Sequence, residues 1–215
     1  MSETSKPIAT LTSKINDLRP TQMSVGMIEV RDKIKEAKGV ADDAHKLSAF
    51  LKDNAVPGVL GPKNLFYIID HHHMARALYE ACIDETVCNI LEDLSHHEKQ
   101  DEFWKEMSDK KWVYPYDENG KGPRPYDDIP SHVKNLKNDP YRSLAGALRE
   151  AGGYAKTDHP FAEFLWADFL RNLVPIGEIT KENLPKVVRT SLKFASSSGA
   201  SELPGYISHG SSGGS

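Results

Sequence analysis

The segment FYIIDHHHMARALYEA, residues 66–81, limits the fold most, because its hydrophobic pattern changes period in the middle. Before Asp70 the chain forms a short apolar run of branched and aromatic residues, which is typical of a buried strand. Behind three consecutive histidines, apolar residues recur at helical spacing, at Met74, Ala77, Leu78, Ala81 and Cys82. The pattern predicts a strand that leads directly into a helix packed on a sheet, with Asp-His-His-His at the junction.

The sequence around this segment predicts further strands and helices. VPGVL and LFYII flank the turn sequence GPKN, which predicts a β-hairpin, and TVCNILEDL predicts another strand. We therefore expect the strands within residues 56–91, and a helix over about residues 73–83 that packs on the sheet through Met74, Leu78 and Cys82. Other helices are predicted over residues 25–38, from a cap at Asp42 or Asp43, and over SHHEKQDEFWKEM.

The last third of the chain has the pattern of helices only. Asp139 and Pro140 begin a helix that ends at Gly152, Pro160 begins a second, and Thr180 caps a third. We divide the chain into an N-terminal segment (1–17), a core (18–138), a helical extension packed on the core (139–206) and a flexible Gly/Ser-rich tail (207–215). The core includes a long loop over residues 112–130 that is rich in Pro, Gly and aromatic residues.

Composition and charge exclude several classes of protein. With 215 residues, 39% hydrophobic content and a net charge of -4, the chain can bury one core and carries no overall field that attracts nucleic acid or an anionic membrane. Neither a signal peptide nor a membrane span is evident, so we expect a cytoplasmic protein. The two cysteines, Cys82 and Cys88, are expected to be small core residues.

Two groups of segments resemble a known superfamily. LRPTQMSVGMIEVRDKIK, the hairpin and IIDHHHMARAL are similar to the ParB/sulfiredoxin superfamily, whose members present D-G-H-H-R or a related motif where a strand turns into a helix. DPYRSLAGALREAGGY, PFAEFLWADFLR and LPGY resemble the ParB-like putative nuclease family. The resemblance implies an α+β fold with a small mixed sheet, packed helices and a helical C-terminal extension. It also implies a groove that binds a phosphate-bearing ligand, since relatives include a CTPase, an ATP-using reductase and free-serine kinases.

The resemblance assigns roles to the junction. It implies that the histidines contact phosphate, at a helix N-terminus whose dipole favours anions. We take Asp70, His72 and His73 as the candidate catalytic residues and His71 as an anion contact. Against D-G-H-H-R, His71 stands at the glycine position and Met74 at the arginine position. Gln22 stands where the free-serine kinases have a glutamate.

The residues themselves allow two interpretations of the junction. Strand alternation groups Asp70 with His72 and His71 with His73, and an aspartate beside a histidine can fix its tautomer for base chemistry. In that case His72 and His73 are also candidate ligands of a divalent metal. Alternatively, Asp70 caps the helix and the histidines satisfy structural hydrogen bonds.

Other candidate binding residues lie outside the junction. Thr21 and Gln22 precede the first helix and can donate to an anion or cap that helix. Glu29 and Lys33 form an i,i+4 pair, which is either a surface ion pair or part of the site. Arg142 lies in the first turn of a helix, where a cation needs an acid or an anion as partner, so it is a candidate phosphate clamp or one half of a salt bridge.

Two functions from different classes remain. The first is an enzyme that acts on a phosphoester, phosphoanhydride or other small anionic substrate in a groove at the Asp-His-His-His motif, by hydrolysis or phosphoryl transfer. The second is a non-catalytic binding or regulatory module that retains the fold. A small anionic ligand is the expected partner, with a nucleotide or a divalent metal as the cofactor classes to test. The net charge argues against nucleic acid, and the sequence leaves the oligomeric state open.

Overall fold

The computed structural model describes residues 6–208 of the chain. The predicted tail lies mostly outside this range, since residues 209–215 are not among those described. The chain divides into two compact units, and the boundary falls between Asp139 and Pro140. Each unit is described by itself.

The first unit contains a mixed sheet and four helices. Its strands are β1 (Ala9–Lys14), β2 (Ser24–Val25), β3 (Val56–Leu60), β4 (Phe66–Ile68), β5 (Glu85–Asp93) and β6 (Lys137–Asn138). Its helices are α1 (Met27–Val40), α2 (Ala44–Asp53), α3 (His72–Glu80) and α4 (Gln100–Asp109). The four-stranded sheet has the order β1-β5-β3-β4, and β2 and β6 form a separate parallel pair. The predicted α+β class is confirmed.

Pairing in the sheet confirms the hairpin and adds a strand. β3 and β4 are antiparallel, with Gly58 opposite Ile68, while β5 runs parallel to β3. β1 pairs antiparallel with the far side of β5. The expectation that strands lie within residues 56–91 is therefore wrong for β1, β2 and β6. β1 reads ATLTSK and is mostly exposed, so it lacks the apolar run that identified the other strands.

Helices α1 and α3 contribute to one hydrophobic core beside the sheet. From α3 this core contains Met74 and Leu78, as predicted, and Cys88 of β5 is fully buried. Cys82, however, is exposed, so its predicted inward position is wrong. The reason is that α3 ends at Glu80 and Cys82 adopts a left-handed conformation with φ of 58°, so the helical period no longer sets its direction.

Two helix starts illustrate how capping decides element boundaries. Asp43 caps α2 as predicted, because its carboxylate accepts hydrogen bonds from the backbone N–H groups of His45 and Lys46. Helix α4 begins at Gln100, five residues later than the predicted segment. Ser95 instead donates its backbone N–H to the side chain of Asp93 at 2.9 Å, which fixes a turn after β5.

Helix α4 covers a second hydrophobic cluster beside β3 and β4. Its buried residues Phe103, Trp104 and Met107 belong to this cluster together with Val59 and Tyr67. The ring centroids of Tyr67 and Phe103 are 4.6 Å apart. Aromatic packing therefore fixes α4 against the two strands that precede the Asp-His-His-His junction.

The second unit is helical, as predicted. It contains α5 (Pro140–Glu150), α6 (Ala162–Arg171) and α7 (Leu184–Ala195), and no strand occurs between residues 140 and 208. Tyr154 stacks on Trp166 with ring centroids 4.3 Å apart and donates its hydroxyl to the carbonyl of Ala145. The hydroxyl of Thr180 accepts from the backbone of Asn183, directly before α7. Within residues 6–208, no helix is long and apolar enough to cross a membrane.

The close contact of Gly58 with the hairpin generates a test of the fold. A Cβ at Gly58 would lie 2.4 Å from the carbonyl oxygen of Tyr67, whereas a Cβ at Gly39, near the end of α1, would meet nothing within 4 Å. Gly58→Ala should destabilise the protein by about 1–3 kcal/mol through overpacking, while Gly39→Ala should stabilise it by about 0.5–1 kcal/mol. Urea denaturation of both variants checks this, and equal stabilities would contradict the strand pairing.

The two cysteines should differ in reactivity. Burial raises the pKa of the Cys88 thiol to about 12, and Cys82 is exposed. A disulfide reagent such as DTNB at pH 8 should therefore modify Cys82 and leave Cys88 intact in the native protein, because the thiolate is the reactive form. Both thiols should react in urea. Rapid native modification of Cys88, located by peptide mass spectrometry, would contradict the position of β5.

Candidate functional site

The junction between β4 and α3 contains a strained residue. His71 is the N-cap of α3 and has φ of 61° and ψ of 24°, the left-handed region, and its side chain makes no capping hydrogen bond. For a residue with a Cβ this conformation costs roughly 1–2 kcal/mol. Glycine adopts it without that cost, which gives a physical reason for the glycine that the superfamily motif has at this position.

The left-handed turn separates the four polar residues into an outer and an inner pair. Asp70 and His71 are exposed, whereas His72 and His73 retain only 3% and 7% of their accessible surface. The grouping of Asp70 with His72 by strand alternation is therefore wrong. Strand geometry ends before His71, and the helix turns both following histidines inward. The Asp70 carboxylate accepts from the backbone N–H of His71 at 2.7 Å, outside the helix.

The inner pair binds the backbone of the segment that precedes α1. The Nε2 atom of His72 accepts from the N–H of Thr21 at 3.1 Å, and that of His73 accepts from the N–H of Gly26 at 2.9 Å. A backbone N–H can only donate, so both Nε2 atoms are unprotonated and each neutral ring carries its proton on Nδ1. The Nε2 atoms of both imidazoles are thus engaged in holding the chain, and the roles of His72 and His73 in catalysis or metal binding stay predictions.

Thr21 and Gln22 lie in this held segment, and both are buried. The Thr21 hydroxyl donates to the carbonyl of Ile68 at 2.8 Å, and the Gln22 amide donates to the carbonyl of Ser24 at 2.7 Å. The Thr21 bond connects the segment to the end of β4, and the Gln22 bond lies within the segment. The role of both side chains in anion binding stays a prediction, and their observed hydrogen bonds are internal to the protein.

Glu29 is the acid that the structure brings to the inner histidines. One of its carboxylate oxygens lies 3.5 Å from Nε2 of His73, and the other lies 4.0 Å from Nζ of Lys33. The Glu29 side chain is 39% exposed, so a carboxylate that contacts the buried His73 is also accessible to solvent. The i,i+4 pair is therefore present, and it lies next to the junction.

The positive charge on α3 has a structural partner. Met74, at the arginine position of the motif, is 3% exposed and belongs to the core. Arg76 binds Glu80 at 2.7 Å and donates to the carbonyl of Leu136 at 2.8 Å. Helix α3 therefore uses its arginine to hold the turn that precedes β6.

Arg142 belongs to the second unit. Its guanidinium lies 4.0 Å from the Glu163 carboxylate and 5.4 Å from the ring centroid of Phe164. An acidic partner is thus present for this cation in the first turn of α5. The role of Arg142 as a phosphate clamp stays a prediction.

The structure groups potential metal ligands at a different place. Among the residues described, His96, His97 and Glu106 have one ligand atom each within 4.8 Å of one another, and His72 and His73 are in no such group. The sequence predicts His96 and His97 to be residues of a helix, and the structure places them in the turn before α4. The sequence signal that could have identified this group is a pair of adjacent histidines with a glutamate on a helix nine residues after the second one.

Replacing an inner histidine should cost more stability than replacing the outer one. His72→Ala leaves the buried N–H of Thr21 without its acceptor and should destabilise the protein by about 1–3 kcal/mol or more. His71→Gly relieves the left-handed strain at the cost of chain entropy, so its effect should stay within about 1 kcal/mol. Urea denaturation measures both, and an unchanged stability of His72→Ala would contradict the structural role of this ring.

Comparison with known proteins agrees with this architecture. The crystal structure of protein Atu1540 from Agrobacterium tumefaciens is 39% identical and superposes with a TM-score of 0.82, covering 93% of this chain and 97% of that one. No curated protein matches the sequence. A family model described as "Putative ParB-like nuclease" matches residues 11–172, which is most of the chain. The chain therefore belongs to this ParB-like family.

Proposed function

We propose that the protein binds a small phosphate-bearing molecule at the N-terminal end of α3 and hydrolyses its phosphoester or phosphoanhydride bond. The observation that carries the proposal is the pair of exposed side chains, Asp70 and His71, directly before a helix whose first two residues are buried and hydrogen-bonded. A helix N-terminus presents backbone N–H groups and positive potential to an anion. The buried histidines keep this terminus in place.

Asp70 supports an enzyme more than a simple anion receptor. A carboxylate next to bound phosphate weakens binding through charge repulsion, so a simple receptor gains nothing from Asp70 beyond its hydrogen bond with the N–H of His71. As a general base that activates water, the same carboxylate would serve hydrolysis. In this assignment His71 contacts or protonates a phosphate oxygen, while His72 and His73 are positioning residues that hold the segment from Thr21 to Gly26.

The family and the net charge of the chain limit the classes of substrate to consider. The family description supports cleavage of a phosphoester, and the net charge of -4 favours a small ligand over a long nucleic acid. Glu29, which lies 3.5 Å from His73, and Lys33, which lies 4.0 Å from Glu29, are candidates to contact the remainder of such a ligand.

A non-catalytic binding module is the second candidate. The observation that favours it is the burial of Met74, which leaves no cation at the arginine position of the motif. Arg76 is engaged with Glu80 and with the carbonyl of Leu136, so it does not replace that cation as the protein stands. A site of this kind would bind phosphate through the helix terminus and His71 without chemistry.

The decisive experiment separates binding from hydrolysis. Hydrolysis of bis(p-nitrophenyl) phosphate should fall by about 100-fold or more in Asp70→Asn, the typical effect of losing a general base. Binding of inorganic phosphate, measured by calorimetry at matched ionic strength, should stay equal or become tighter, because a repulsive charge is removed. Asp53→Asn, at the exposed end of α2, is the matched control and should change neither quantity.

The other outcomes distinguish the candidates. If the unmodified protein binds phosphate without hydrolysing phosphoesters, and His71→Asn abolishes the binding, the binding module is correct. Asparagine tolerates the left-handed conformation, so this variant removes the imidazole with little change in backbone preference. Absence of both binding and hydrolysis in the unmodified protein would overturn the proposed site.

A further inference from the structure

A second cluster of ligating side chains lies between the turn after β5 and helix α4. The imidazoles of His96 and His97 and the carboxylate of Glu106 place one ligand atom each within 4.8 Å of one another. The two rings lie side by side with centroids 4.3 Å apart. Because all three residues are at least partly accessible, an ion can reach the cluster from solvent.

Both sides of the cluster are anchored in the core of the first unit. Leu94, directly after β5, is 1% exposed and donates its backbone N–H to the carbonyl of Leu60 at 2.7 Å. The N–H of His97 in turn donates to the carbonyl of Leu94. On α4, Phe103 and Met107 are fully buried on either side of Glu106 in the sequence. The backbone positions of the ligands are therefore set without an ion.

Neighbouring residues orient the glutamate. One oxygen of Glu106 lies 2.6 Å from Nε2 of His97, and the other lies 3.5 Å from Nζ of Lys110. Lys110 is also 3.0 Å from Glu92. The contacts with His97 and Lys110 thus engage both oxygens of Glu106, and Glu92 offsets the charge of Lys110.

We propose that His96, His97 and Glu106 form a site for Zn²⁺, with water completing the coordination. Two imidazoles and one carboxylate are a ligand set that zinc accepts, at distances of about 2.0–2.2 Å. Two ligand atoms at such distances and at a tetrahedral angle are roughly 3.3 Å apart. In the metal-free protein, His97 and Glu106 are hydrogen-bonded at 2.6 Å. The ion would take the place of the proton in this bond.

Zinc binding requires the ligand atoms to shift. The Nε2 atom of His97 and the Glu106 oxygen must separate by about 0.7 Å, from the observed 2.6 Å to the roughly 3.3 Å given by zinc geometry. The ligand atom of His96, which lies within 4.8 Å of the other two, must reach the same separation from them. The side chains of His97 and Glu106 are 15% and 30% exposed, which leaves room for this rotation. Zinc would then connect the β5–α4 turn to α4 and stabilise the folded state.

Calorimetric titration of chelator-treated protein with ZnCl2 tests the site. We expect one zinc per chain with an affinity at least tenfold weaker in His97→Gln and in Glu106→Gln, since each removes one ligand. Zinc should also raise the melting temperature of the unmodified protein and not that of the variants. His45→Gln and Cys82→Ser remove exposed ligands elsewhere and should leave the affinity unchanged.

The remaining outcomes overturn the proposal. Equal zinc affinity in the unmodified protein, His97→Gln and Glu106→Gln would show that binding is adventitious, as would loss of binding in Cys82→Ser. Because His97 and Glu106 also bind each other, a variant of either could lower stability without zinc. His96→Gln is exposed and has no such bond to Glu106, so unaltered zinc affinity in this folded variant would be equally decisive against the site.

Discussion

Two hydrogen bonds from backbone amides to buried imidazoles determine how the first unit is assembled. The segment from Thr21 to Gly26 crosses the interior with little regular structure, and its buried N–H groups need acceptors there. His72 and His73 supply two of them. Helix α1 begins at Met27, directly after the second of these bonds, so its starting point is set by α3. An unpaired N–H in the same place would cost about 1–3 kcal/mol, a large part of the stability of a domain this size.

The same hydrogen bonds give the three consecutive histidines different roles. At the single left-handed residue His71 the side chains change environment, because those of Asp70 and His71 reach solvent and those of His72 and His73 are buried. A row of identical side chains therefore contains two environments. The exposed side chains of Asp70 and His71 can contact a ligand and exchange protons with water. The buried rings of His72 and His73 fix the position of the helix end that follows them. Proximity in the sequence gave no indication of this difference in environment.

Sequence periodicity was sufficient for the elements with an apolar face or run. It predicted the hairpin, β5, α3 and the three helices of the second unit, because burial imposes the pattern on each of them. It missed β1, whose threonines and serine give no apolar run, and it began α4 too early because Asp93 fixes a turn by a side-chain hydrogen bond. Both errors arise where pairing or local capping, and not burial, decides the structure.

The junction between a strand and a helix was predicted correctly, and its function as a site stays a prediction, but the environments of its residues could not be predicted. Thr21 and His72 are 51 positions apart, so no local pattern reveals that one accepts a hydrogen bond from the other. The left-handed conformation of His71 is equally hidden, since histidine does not indicate a positive φ as glycine does. Long-range polar contacts decided the chemistry available at each position, and only the folded chain shows them.

The arginine of α3 explains how the motif tolerates methionine at its fifth position. Met74 faces the core, while Arg76 donates to the carbonyl of Leu136 directly before β6. β6 pairs with β2, which lies in the segment that His72 and His73 hold. Helix α3 therefore fastens both strands of this small pair, one through its neutral imidazoles and the other through its guanidinium. The cation on this helix is therefore engaged in structure. Under the proposed function, recognition of phosphate would depend on backbone N–H groups and His71.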